Sequence, residues 1–162
     1  MSTLYDQDFH AWALAQAAAL RRAAELRINL PDVDIEHLAE EIEDMGSEQA
    51  HAVESALMRI IEHLLKLEYS PADRPRATWR RTVRNQRTDL QKRLKRSSSL
   101  RNPQCLAEML VDAWRDGRRL AYEGLIDQGE PDAAASIPQD CPYSLEQLCD
   151  FEWWPDGRAN AL

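Results

Sequence analysis

Apolar residues recur along this chain at steps of three and four rather than in alternation, and no period-2 run appears. That period predicts α-helices and no strands. From about Asp6 to Leu26, Phe9, Trp12, Ala13 and Leu20 share one face of a run rich in strong helix formers. Asp6 is the expected N-cap, and Asn29-Leu30-Pro31-Asp32 the expected turn. Ile35, Leu38, Ala39, Ile42 and Met45 form a second stripe, and Val53, Ala56, Leu57, Ile60 and Leu64 a third. Ile35 and Val53 lie 18 residues, or about five turns, apart, so the two stripes are in phase. One helix from about Asp34 to Leu67 follows. Gly46 disfavours a helix interior by about 1 kcal/mol against Ala, which makes a break there the competing arrangement.

Ser70-Pro71 closes that helix. Trp79, Val83, Leu90 and Leu94 give a narrow stripe for a third helix, from about Ala77 to Arg96. After a turn at Ser97-Ser98-Ser99, Asn102-Pro103 opens a fourth, whose apolar face is Leu106, Leu110, Ala113, Trp114, Leu120 and Ala121. Residues 128–143 read as loop, and Ser144 with Gln147 forms a capping box for a short helix. Phe151, Trp153 and Trp154 are expected to pack back and be largely buried. The expected fold is all-α: a bundle of about four main helices plus a short C-terminal helix and an aromatic tail. It forms a single domain over residues 1–162, with a core of about 4–127, a loop over 128–143, and the last helix and tail over 144–155.

Charge divides this pattern unevenly. The net charge is −8, yet residues 74–101 carry 11 of the 20 Lys and Arg and one acid, Asp89. Residues 31–58 carry nine acids and no Lys or Arg. Such blocks either pair within the fold or meet an external partner of opposite charge. Arg80, Arg84 and Arg87 are expected to pair with acids of a neighbouring helix, especially Glu41 and Glu43. Arg81, Arg84, Lys92 and Lys95, away from the apolar stripe, are the candidate nucleic-acid contacts.

Metal chemistry has a few candidates: His37, Glu41, Glu48, His51 and His63. His37 and Glu41 stand at i,i+4, and Glu48 with His51 forms an ExxH pair. Di-metal bundles need a second ExxH, and Glu48 and His51 fall nearly opposite the apolar stripe, so a solvated acidic face is preferred. His63 sits near the stripe and is expected to be part-buried at a packing seam. It could meet Glu41 within one chain only if the helix folded back at Gly46. Cys105, in a helix first turn, is the one thiol that a helix dipole could activate. There is no phosphate-binding glycine loop, no GxSxG and no HExxH. No catalytic residue and no cofactor are therefore assigned. Three cysteines without CxxC spacing fit reduced thiols in a cytoplasm, and no run is apolar enough to span a bilayer.

Taken in order, LYDQDFHAWALAQAAALRR, IEHLAEEIEDMGSEQ, RIIEHLLKLEYSP, TWRRTVRNQR and CPYSLEQLCDFEWWP resemble the bacterial family known as domain of unknown function 29, from residue 4 to about 155. Leu67-Glu68-Tyr69 departs from that family's Trp-Gln-Tyr type of ending. The resemblance implies an almost all-helical bacterial protein and carries over no catalytic residue. The functional expectation is a non-enzymatic module that binds another protein or itself. A nucleic-acid-associated protein using residues 77–96 is the alternative, and a metal-binding bundle the third reading.

Overall fold

A capped single turn opens the chain, and four long helices follow. In the computed structural model α1 is Leu4–Gln7, α2 Phe9–Glu25, α3 Ile35–Tyr69, α4 Arg76–Arg96 and α5 Pro103–Asp127. Short helices α6, Pro131–Ala135, and α7, Leu145–Cys149, complete it, with a 3-10 turn at Ser98–Arg101. The structure describes residues 2–26, 28, 30 and 32–155. Asn29 and Pro31 of the expected turn, and the chain beyond Pro155, lie outside the described residues. Among the described residues there is no strand, only an isolated bridge between Asp8 and Ser97. The fold is all-α.

Two local expectations need correction. Asp6 does not cap the long first helix. Thr3 caps α1 with Asp6 as its reciprocal partner, and Asp8 starts α2 by accepting from the Ala11 amide. The stretch 128–143 is not all loop: Pro131, placed in a first turn, starts α6. As expected, Phe151, Trp153 and Trp154 keep only a minor part of their surface exposed, and Pro155 is buried. Likewise α3 is continuous through Gly46, as the shared phase predicts.

The described chain separates into two compact units. The first comprises Met1–Ala52 and Arg93–Asn102. Its core is small: Phe9, Ala13, Ala17, Ala39 and Leu100. Alanines let α2 approach the first part of α3 closely, and a Cβ built on Gly46 would lie 3.0 Å from the Ala13 Cβ. Gly46 is thus explained by packing. His10 Nδ1 donates to the Gly46 carbonyl at 2.8 Å. Buried Asp8 also accepts from the Ser98 and Ser99 hydroxyls and the Ser99 amide, which ties the start of α2 to the serine turn.

The second unit comprises Val53–Lys92 and Pro103–Leu162. Here Val53, Leu57, Ile60, Ile61, Leu64, Leu65 and Leu67 of α3 are fully buried with Val83, Leu90, Ala121, Leu125 and Leu148. A Cβ on Gly117 of α5 would lie 2.7 Å from the Met58 carbonyl oxygen, so only glycine permits this approach. Buried Arg76 donates to the carbonyls of Leu67 and Ser70, and so satisfies the end of α3. Trp114 and Arg118 pin the loop before α7 by donating to the carbonyls of Gln139 and Pro138.

Candidate functional site

The apolar stripe of α3 is covered in the second unit but open in the first. Leu38 is 42% and Met45 48% exposed, while Ile35 and Ile42 are half-buried. Leu14, Leu26, Ile28, Leu30 and Val33 of the same unit are also exposed. The acids around them face water: Asp34, Glu36, Glu40, Glu41, Asp44 and Glu48 are all exposed. A groove of about 410 Å³ lies between Arg21, Ala24 and Glu25 of α2 and Glu36 and Glu40 of α3. Arg21 is already engaged, since it donates to Glu43.

That ion pair corrects the expected wiring of the charge blocks. Glu43 pairs with Arg21, on α2, rather than with Arg80, Arg84 or Arg87. Arg87 is 1% exposed and donates to the carbonyls of Leu148 and Gln147, at the end of α7. Burial pushes its pKa down to about 10, against the pull of Asp150 and Cys149. The guanidinium carbons of Arg80, Arg84 and Arg87 lie 5.5, 5.5 and 5.0 Å from the Trp154 ring centroid. The tail therefore meets the basic helix through cation–π contact. Arg81, Arg84, Lys92 and Lys95 are exposed, so all four nucleic-acid candidates reach solvent.

The metal candidates do not converge. His37 Nδ1 lies 2.5 Å from Asp34, and this hydrogen bond holds its pKa above the usual value. Glu41, Glu48 and His51 are exposed, and α3 does not fold back to bring Glu41 to His63. His63 is part-buried as expected, donating from Nδ1 to the Arg59 carbonyl at 2.9 Å. Burial pushes its pKa down, partly opposed by the Glu62 charge. Among the described residues no group of three or more His, Cys, Asp or Glu could hold a metal ion.

Sequence reasoning missed a buried charge cluster beside His63. Glu62 accepts from Lys66 at 2.7 Å and from Arg59 at 2.8 Å. Burial alone would raise the Glu62 pKa, but the Lys66 hydrogen bond, His63 and Arg59 outweigh it and hold the carboxyl low. A Cβ on Gly124 would lie 2.7 Å from the Lys66 Nζ, so α5 leaves room for the ammonium with a glycine. Spacing alone shows Glu62 and Lys66 as an i,i+4 pair, which is commonly a surface feature. The only signal of their burial is their position inside the stripe of Ile61, Leu64 and Leu65.

The thiols are not activated. Burial and Glu108 push Cys105 up, the reverse of the dipole effect expected from its position, and burial also raises Cys141 and Cys149. Cys141 borders an apolar groove of about 310 Å³ with Leu110, Val111, Trp114 and Leu145. Tyr143 is buried and donates to Glu68 at 2.5 Å, which gives the departure at Leu67-Glu68-Tyr69 a structural use.

Comparisons place the chain in a family without assigning chemistry. The family model for domain of unknown function DUF29 matches residues 4–154, and the chain belongs to that family. The crystal structure of an alpha-helical protein of unknown function from Rhodospirillum rubrum is similar at 26% identity, with a TM-score of 0.76. The match covers 94% of this chain and 93% of that one. No functionally curated protein matches the chain. Among the described residues no helix is long and apolar enough to cross a membrane.

Proposed function

We propose that this member of the DUF29 family is a non-enzymatic, cytoplasmic interaction module that holds a protein partner through the first part of α3. The supporting observation is the open stripe at Leu38 and Met45, continuous in phase with residues that are fully buried further along the helix. Large apolar side chains gathered on one helix face favour a cover, because apolar area left in water costs about 25 cal/mol per Å². Placing a photo-crosslinking amino acid at position 38 or 45, in cells, tests this reading. Discrete protein adducts are expected from these positions and not from exposed Arg119 in the second unit. Equal labelling from all three positions, or none, would remove it.

A second reading uses the exposed cations Arg81, Arg84, Lys92 and Lys95 as phosphate contacts. Binding to duplex and single-stranded DNA and RNA at two salt concentrations separates the two. Tight binding at physiological salt, removed by joint substitution of Arg81, Lys92 and Lys95 with Gln, would replace the first reading with the second.

A further inference from the structure

The open stripe has the repeat of a helix that pairs with another helix. Ile35, Leu38, Ile42 and Met45 are spaced three, four and three, the a and d positions of a heptad. In that register Asp34, Glu41 and Glu48 occupy successive g positions, and all three are exposed. The e positions, Ala39 and Gly46, are buried. Gly46 is closed off by Ala13 and His10 of α2. The face thus offers an apolar seam with one exposed acidic edge, on which Asp34 is engaged by His37 at the start of α3 and Glu41 and Glu48 face solvent. Residues at e and g set partner choice in helix pairs through opposite charges. A second copy laid antiparallel would bring this acidic edge against itself, and a polyanion would be repelled by it.

We infer that the seam takes a cationic amphipathic helix of another protein, with apolar residues over Leu38 and Met45 and Lys or Arg along Glu41 and Glu48. This rests on the interaction reading above and adds the chemistry of the partner. Groove recognition of this kind reads apolar anchors one or two turns apart, and its charged rim adds specificity and salt dependence.

The test measures fluorescence anisotropy of a labelled model peptide with Leu at a and d and Lys at e and g, mixed with the intact protein. Saturable, salt-weakened binding is expected, and none to an analogue carrying Glu in place of Lys. Leu38→Gln with Met45→Gln should weaken binding about tenfold or more, as removal of anchors does. Glu41→Lys with Glu48→Lys should do the same while leaving the circular dichroism unchanged, because those side chains are exposed. Equal affinity for the Lys and Glu peptides would overturn the inference on the wild-type protein alone. Unchanged binding to both variants would also overturn it. Crosslinks from positions 38 and 45 to a second copy, with a dimer lost on Met45→Gln, would overturn the cationic partner and leave the interaction reading standing. Absence of crosslinks would remove that reading itself.

Discussion

The two parts of α3 carry the same stripe and meet opposite fates. From Val53 to Leu67 every Val, Leu and Ile side chain is buried and Met58 is half-buried. From Ile35 to Met45 two are half-buried and two exposed. The difference lies in what the rest of each unit supplies. In the second unit α4, α5 and α7 contribute Trp79, Val83, Leu90, Trp114, Leu125 and Leu148 to the core. In the first, α2 contributes Phe9, Ala13 and Ala17, and the two alanines bring the helices close without covering what lies to either side. Amphipathic phase therefore fixes which face a helix wants covered, and the neighbours' side-chain sizes decide how much of it is covered.

The sharpest test of this comparison is a matched pair of truncations. Leu64→Ala should cost about 2–5 kcal/mol, because it removes a fully buried side chain and leaves a cavity. Leu38→Ala should stay within about 0.5 kcal/mol, as for an exposed position. Urea titrations of both proteins measure this. Comparable losses would show that the first unit is packed as tightly as the second.

A second pair probes the glycines where helices approach. Alanine gains about 1 kcal/mol of helix propensity at either site. At Gly117 the new Cβ meets a backbone carbonyl of α3, at 2.7 Å, together with Ile61 at 3.0 Å. The helices must separate, at a cost of about 1–3 kcal/mol, so Gly117→Ala should be net destabilising. At Gly46 the nearest atom is the Ala13 Cβ, at 3.0 Å, and a shift of a few tenths of an ångström relieves it. Gly46→Ala should be near neutral in thermal melts. The reverse order would break the comparison.

Much of this fold was legible because it depends on periodicity. The continuity of α3, the limits of α4, the start of α5 and the capping box at Ser144 all follow from local patterns. What was not legible depends on which faces meet. Arg87 reads as one cation in a basic run, and only the backbone at Gln147 and Leu148, 60 and 61 residues away, shows that it is buried and held by carbonyls. Glu62 and Lys66 look like a surface pair until Gly124 is seen to make space for the ammonium. The candidate site was half visible. Its acidic residues and apolar stripe stand in the sequence, but the exposure of Leu38 and Met45 depends on the alanines of α2.

The smallest effect expected separates the two units by pH. His37, in the first, is exposed and holds its proton through Asp34, so its pKa is raised. Its stabilising contribution is present in full below the unfolded value of about 6.5 and fades as pH rises through the folded value. His63, in the second, is part-buried beside Arg59, Glu62 and Lys66, and burial lowers its pKa. The folded state then binds fewer protons than the unfolded state below about 6.5, and the stability this confers is lost as pH falls through that window. Its slope cannot exceed about 1.4 kcal/mol per pH unit. Glu62, whose pKa is lowered, adds a loss only below its ordinary value of 4.5, so the windows do not overlap near neutrality. Denaturant midpoints taken between pH about 7 and about 5 should therefore move in opposite senses for the two substitutions. His63→Gln should flatten the acid-side decline, and His37→Gln should steepen it slightly. Parallel profiles for both variants and the wild-type protein would mean that neither histidine senses the packing of its unit.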